Sequence, residues 1–384
     1  MWPYMTTYFG NPSSVTHACG REAAQAVDHS RAVLADQFNV SSDEIIFTSG
    51  ATESINMALK SILPSFSSTQ PHLITCATEH SVVLEVCRDL EKLGCAVTIL
   101  PVDHQGSIDY ELLKATIQEN TVMVVIMHAN NETGVIHDIQ QIGEICAAAG
   151  VLFFCDATQT VGKLQIDLQQ VHIDLMAFSG HKFYGPKGIG TLYINKNLKT
   201  HKPGPLLHGG GQEFGMRAGT LNVPGIVGMS SALEIAIQEM NAYQEHMASL
   251  VNEFEDKLKE LGDVVINGNA NPRLPGVSTI SFRCIEGQAL LLKLNERLCV
   301  SSGAACSSVT GKPSHVLMAM GLGAQQAMAT VRFSFGRFTT IEEFDLAVNH
   351  VVSTIKQLRE ESMTWRMYKK GNISGIPAWH HPAS

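Results

Sequence analysis

What most constrains this chain is a repeated pairing: a short, wholly apolar run, then a longer stretch with one apolar face. "EIIFTS" (44–49) leads into "TESINMALKSIL" (52–63), "HLITCA" (72–77) into "SVVLEVCRDLEKLG" (81–94), and "VMVVIMHA" (122–129) into "IQQIGEICAAAG" (139–150); "VLFFCDA" (151–157) follows. A strand covered on both faces is apolar throughout, because neither face meets water, whereas a helix with one buried face carries apolar residues three and four apart. The alternation predicts an α/β fold with a mostly parallel sheet between helices.

After the glycine-rich "LHGGGQEFGMRAGTLNVPG" (207–225), a helical pattern runs from about 226 to 261. Beyond it "GVSTISF" (276–282) and "VRFSFGRF" (331–338) read as strands. "TIEEFDLAVNHVVSTIKQLREE" (340–361) reads as an amphipathic helix, with Thr340 and Glu343 spaced as a capping box. The expected organisation is a large domain over 1–237 and a smaller α+β domain over 238–384, with no internal repeat or low-complexity segment.

With 384 residues, 45% of them hydrophobic and 16% charged, the chain can bury two cores. A formal net charge of -9 without any Lys/Arg block argues against nucleic acid as a direct partner, since binding phosphates needs a concentrated basic face. The longest apolar runs fall well short of the roughly 20 residues that span a bilayer. The opening "MWPYMTTYFGNPSS" lacks the basic, apolar and small-residue series of a secretory signal, so no membrane partner and a cytoplasmic location are expected. Nine scattered cysteines without a C-x-x-C pair argue against a zinc site or a disulfide framework, and no metal is expected.

In parallel α/β sheets ligands bind beyond the carboxyl ends of the strands. Five predicted strands run into "TSGATES", "TEHS", "NNETG", "DATQ" and "SGHK", which together hold Thr52, His80, Asn131, Asp156, Gln159, Ser179, His181 and Lys182. One polar strand end is ordinary capping and solvation; five suit an anion, an aromatic ring, a ring nitrogen in need of a carboxylate, and an amine. "TSGATES" opens a helix whose free N–H groups favour a phosphate, but it lacks the Walker spacing. Asp156 beside a protonated pyridine nitrogen and Lys182 as a Schiff base form the pairing expected for pyridoxal phosphate, with His80 placed to stack on the ring. Ser179 and His181 flank Lys182 and can both donate to one phosphate; Lys187, in the turn-like "GPKGIG", reads as a surface lysine.

The motifs "SGATES", "TEHSVVLE", "NNETG", "DATQTVGK", "SGHKFYGPKGIG", "GGGQEFGMRAGTLN", "SSGAACSS" and "VRFSFGRFTT" together resemble the cysteine desulfurases of the NifS- and IscS-like type, within the class-V aminotransferase family of fold type I pyridoxal phosphate-dependent transferases. The resemblance covers nearly the whole chain. It implies catalytic roles for Lys182, which would carry pyridoxal 5'-phosphate, for Cys306, and for His80, which would stack on the cofactor. It implies Asp156 at the ring nitrogen and Gln159 at the phenolic oxygen. The phosphate would be held by Ala51, Thr52, Ser179 and His181, and by Thr220 of a second subunit, so a homodimer is implied. Asn131 and Arg332 would hold the substrate carboxylate, the arginine through its two-pronged fork.

Cys306, in "CVSSGAACSSVTGKPSHV", matches the family's sulfur-accepting cysteine; the small residues around it, with Gly303 and Gly311, permit bending. A free thiol with a pKa of about 8.5 is only slightly ionised at neutral pH, so the site is expected to lower that value. The implied reaction converts L-cysteine to L-alanine and leaves a persulfide on Cys306, for iron-sulfur cluster assembly or another sulfur-transfer pathway. The C-terminal "WRMYKKGNISGIPAWHHPAS" resembles the family segment that docks a sulfur-accepting iron-sulfur scaffold. Family members are expected to carry a further strand and turn before "FGNPSS", whereas this sequence opens within the helix that follows them.

Three other enzymes share most of these features: a selenocysteine lyase, a desulfurase dedicated to DNA or tRNA thio-modification, and an aminotransferase, which has no need of Cys306. A nicotinamide oxidoreductase lacks its G-x-G-x-x-G after an early strand. A non-catalytic binding module has no reason to hold Lys182, Asp156, His80 and Cys306 together.

Overall fold

A computed structural model describes residues 1–62, 70–198, 203–302 and 312–371, and the chain divides into two compact units. The first comprises Met1–Leu100, Tyr110–His128 and His137–Met240, the second Pro101–Asp109, Ala129–Ile136 and the chain from Asn241 onward. A single boundary between 237 and 238 would leave out the two short segments that the earlier part of the chain contributes to the second unit.

In the first unit the elements follow in the order α1 (Trp2–Thr6), α2 (Ala18–Gln37), β1 (Ile45–Thr48), α3 (Ala51–Ile62), β2 (His72–Cys76), α4 (Ser81–Lys92), β3 (Ala96–Leu100), α5 (Tyr110–Thr116), β4 (Thr121–Met127), α6 (Ile139–Ala149), β5 (Leu152–Asp156), β6 (Leu175–Ser179), β7 (Gly190–Ile194) and α7 (Val223–Gln238). Seven strands form one sheet in the order β1-β7-β6-β5-β4-β2-β3. β2, β4, β6 and β7 are buried along their whole length, which is why their sequences show no polar alternation. Helix ends follow local chemistry: the Asp138 carboxylate accepts the Gln140 and Gln141 N–H groups at 3.0 and 3.1 Å to start α6. Gly150 ends it at φ 68°, a left-handed conformation that favours glycine.

The sheet is mixed rather than purely parallel. β7 runs antiparallel to both β1 and β6, so β1 points the same way as β6, and with them β5, β4, β2 and β3. The carboxyl ends of the five strands singled out in the sequence therefore share one edge of the sheet. Val83, Val86 and Leu90 of α4 pack with Ile55, Ala58 and Leu59 of α3 into the apolar layer that covers Leu73, Val125, Phe154 and Ala177.

The second unit contains α8 (Met240–Lys259), β8 (Val264–Ile266), β9 (Val277–Phe282), α9 (Gly287–Leu294), α10 (His315–Ala319), α11 (Ala324–Met328), β10 (Thr330–Ser334), α12 (Ile341–Glu361) and α13 (Met363–Lys369). The continuous helical pattern expected over 226–261 is two helices, α7 and α8. The antiparallel sheet β10-β9-β8 packs with α8, α9 and α12 around Phe254, Phe282, Phe333 and Phe344. The Phe254 ring lies 4.9 Å from Phe333 and 5.2 Å from Phe335, both inclined rather than stacked flat. α12 opens with the expected capping box: the Thr340 hydroxyl accepts the Glu343 N–H at 3.2 Å, and the Glu343 carboxylate accepts the Thr340 N–H at 3.0 Å. Among the described residues no helix is long and apolar enough to cross a membrane.

Candidate active site

At the carboxyl edge of the first unit's sheet, Gly190 pairs with Thr48 of β1 on one side and Ser179 of β6 on the other. A Cβ at Gly190 would lie 2.5 Å from the Gly50 Cα and 2.6 Å from the Phe178 carbonyl oxygen, so only glycine lets these two strand ends close. The approach brings the start of α3 onto the end of β6, where the Ser179 Oγ accepts the Ala51 N–H at 2.7 Å. The first-turn amides of a helix have no intrahelical acceptor, and its dipole favours negative charge there. Ala51 and Thr52 begin that turn, with Thr52 exposed.

The one acid in this turn is neutralised. The Glu53 carboxylate accepts the Ser49 N–H at 2.8 Å and the Arg217 Nε–H at 2.8 Å. Burial would raise it, but these bonds outweigh burial and hold it below the usual carboxylate range. Arg217 belongs to the glycine-rich segment, three residues before the exposed Thr220. That segment is also fixed through Glu213, which is fully buried: its carboxylate accepts from Arg31 at 2.8 and 2.5 Å and from the Phe47 N–H at 2.6 Å. Phe214 beside it adopts φ 56°, a left-handed conformation held by these anchors.

Asp156 ends β5 and is 5% exposed; its Oδ1 accepts the Thr158 N–H at 2.9 Å. Burial pushes its carboxyl up, opposed by the Thr158 bond and by the charges of His80 and Lys182. A buried carboxyl in this state is suited to a cationic N–H partner. Gln159 lies half-buried in the same turn. His80 caps α4, its Nδ1 accepting the Val82 N–H at 3.2 Å, which assigns the ring proton to Nε2 and fixes the ring's orientation. Lys182 is half-buried in the short turn after β6. Burial, with Lys182 and Lys187 adding, lowers the neighbouring His181, which is thereby neutral at pH 7 with one N–H to donate.

Two groups at this edge have no signal in the sequence pattern. Glu79, fully buried, accepts the Met127 N–H at 2.7 Å; burial raises it well above the ordinary range, with Asp156 adding to the effect. Lys163 is pushed down to about 8 by burial of its amine and by Lys182. Its position follows from Gly162, at φ 77°, whose backbone presses onto Phe183: a Cβ there would lie 2.7 Å from the Phe183 Cβ. Neither residue is marked out by its sequence neighbours; burial and packing reveal their chemistry.

Asn131 and Arg332 come together in the second unit, where the Arg332 Nη1 donates to the Asn131 carbonyl at 2.8 Å. Arg332 pairs with Thr279 across β10 and β9, and the Thr279 hydroxyl donates to the next carbonyl, that of Glu132, at 2.6 Å. Two adjacent side chains on one sheet face thus hold consecutive carbonyls of the "NNETG" turn. Cys306 lies outside the described residues, as does the C-terminal segment beyond Gly371.

The defining pattern of the class-V aminotransferases matches residues 1–346. The chain is 46% identical over 374 residues to a protein named cysteine desulfurase IscS from Escherichia coli O139:H28, spanning 97% of this chain and 92% of that protein. Among solved structures, a NifS-like protein is similar with a TM-score of 0.86 and 36% identity over 93% of this chain and 94% of its own. The protein SspA, solved in complex with cysteine, is similar with a TM-score of 0.77 and 33% identity over 88% and 94%.

Proposed function

The chain belongs to the class-V aminotransferase family, as one of its cysteine desulfurases, and from that membership we propose that it converts L-cysteine to L-alanine with pyridoxal 5'-phosphate and places the sulfur on Cys306 as a persulfide. The observation that carries this reading is the shared sheet edge, where Lys182, the buried Asp156, the oriented His80 ring and the Ser179-braced start of α3 meet. These groups fit the cofactor one by one: helix amides for the phosphate, a carboxylate for the ring nitrogen, an imidazole for the ring face and an amine for the aldehyde. When bound, the cofactor supplies an electron sink for negative charge at the substrate α-carbon.

The residues do the rest. Ala51, Thr52, Ser179 and His181 hold the phosphate, with Thr220 of a second copy, while Asp156 and Gln159 orient the ring. Arg332 and Asn131 bind the substrate carboxylate. The Lys182 Nζ would take the α-proton of the bound substrate, a task that its neutral form performs and that the nearby Lys163 charge favours. The Cys306 thiolate then bonds to the substrate sulfur as the Cβ–S bond breaks. The persulfide passes to an acceptor, which we place with the C-terminal segment and iron-sulfur cluster assembly.

The test is alanine release from L-cysteine by the purified chain with pyridoxal phosphate and a thiol reductant. Wild type releases alanine and labels Cys306 as a persulfide, while Cys306→Ala still binds the cofactor and carries no persulfide. Undiminished sulfur transfer in Cys306→Ala would overturn the assignment.

A further inference from the structure

The chain on either side of the segment that carries Cys306 returns to one small block of the second unit. On the entering side, Ser301 bridges to Arg332, whose N–H donates to the Ser301 carbonyl at 2.8 Å. On the leaving side, the Ser314 hydroxyl donates to the Glu132 Oε2 at 2.5 Å and also accepts the Leu317 N–H, capping α10. Glu132 itself is fully buried and sits directly after Asn131, the residue held by Arg332. Its backbone is fixed twice more: its carbonyl accepts the Thr279 hydroxyl, and its N–H donates to the Asn130 Oδ1 at 2.8 Å.

Nothing in the reaction needs Glu132 at the reacting atoms, and burying a carboxylate is costly unless its bonds matter. Its Oε1 has no hydrogen-bond partner among the described residues, so among them the Ser314 hydroxyl is what holds the side chain. Burial raises its carboxyl, opposed by the Ser314 bond and by the nearby Arg332 guanidinium. The same turn therefore presents Asn131 toward the substrate carboxylate's arginine and, one residue on, tethers the chain that leads back from Cys306.

We propose that Glu132 is a positioning residue which, through Ser314, ties the chain that follows the Cys306-bearing segment to the Asn131–Arg332 pair. This rests on the proposed function and deepens it: the group that recognises the amino acid's carboxylate and the chain that leads back from Cys306 are held by one turn. Loss of the tether leaves substrate binding intact and slows delivery of the thiol.

The experiment compares wild type, Glu132→Ala, Glu132→Gln, Ser314→Ala and the double variant E132A/S314A, each as the full chain. Three quantities are read: KM for L-cysteine in the cofactor-loaded protein, the rate of persulfide formation on Cys306 by alkylation and mass spectrometry, and hydrogen exchange at amides 315–320 without substrate. E132A and S314A are expected to slow persulfide formation on the order of tenfold, as for one lost buried hydrogen bond, with KM changed by less than about twofold. The double variant is no slower than the slower single variant, because both remove the same bond. E132Q, which keeps an acceptor oxygen, stays within about threefold of wild type. Exchange at 315–320 quickens in E132A and not in E132Q.

A KM that rises in step with the rate loss, single-variant effects that multiply in the double variant, or unchanged rate and exchange in E132A would each overturn the proposal. If E132A does not fold, S314A and E132Q read the same contact from its two ends. A wild type that forms no persulfide overturns the proposed function instead, and the exchange measurement still decides whether Glu132 is the tether.

Discussion

Two amines share the site edge, and two positive charges in a partly buried place are costly. Burial, with the Lys182 charge adding to it, pushes Lys163 down to about 8. The effect is mutual: each charge favours the neutral form of the other amine, and the neutral form is the one that reacts with an aldehyde and accepts a proton. Replacing Lys163 with Met removes one of the charges, so Schiff-base formation by Lys182 with pyridoxal phosphate is expected to need higher pH, its midpoint rising by up to about one unit. Spectroscopic titration of the bound aldehyde measures this, and an unmoved midpoint would show that Lys163 is only structural. Asp156 answers to the opposite pressure. Burial raises its carboxyl and nearby positive charge lowers it, a balance that a cationic ring nitrogen would tip toward the ionised form.

At the level of elements, the site depends on how closely two strand ends meet. Gly190 joins β1 to β6 with no room for a methyl group against Gly50 and Phe178. Gly190→Ala must push the start of α3 away from β6, breaking the Ala51–Ser179 bond that braces the phosphate-facing turn. A loss of roughly 1–3 kcal/mol in stability, the usual cost of overpacking, is expected together with weaker binding of pyridoxal phosphate. Denaturant unfolding and cofactor titration of the same variant measure the two effects, and a stable variant with unchanged cofactor affinity would refute the close-approach explanation. The helix starts are different in kind. The bonds that open α6 and α12 are local, which is why the Thr340–Glu343 capping box could be read directly from residue spacing.

For the whole molecule, pH reaches the fold through buried groups shifted in opposite directions. Burial, with the charge of His137, pushes His128 from its usual value near 6.5 to about 4. Between these values the unfolded chain binds the proton and the folded chain does not, so this stabilisation is present above pH 6.5 and is lost as the pH falls toward 4. The loss amounts to about 3 kcal/mol. The raised carboxyls of Glu79 and Asp156 act with the opposite sign, so the contribution is isolated by comparing unfolding of wild type and His128→Asn from pH 7 to 4. Wild type should lose stability relative to the variant over that range; parallel curves would show that His128 titrates normally. What the sequence determined on its own was everything carried by neighbours along the chain: strands apolar throughout because both faces are covered, helix starts set by caps, and Lys182, Asp156 and His80 placed at or just after strand ends. A continuous apolar run has no direction, however, so the reversed β7 and the joining of 101–109 and 129–136 to the second unit were decided only by long-range packing. The same holds for Glu79, Glu132 and Lys163, whose chemistry arises from burial beside residues distant in sequence, a property of the folded chain alone.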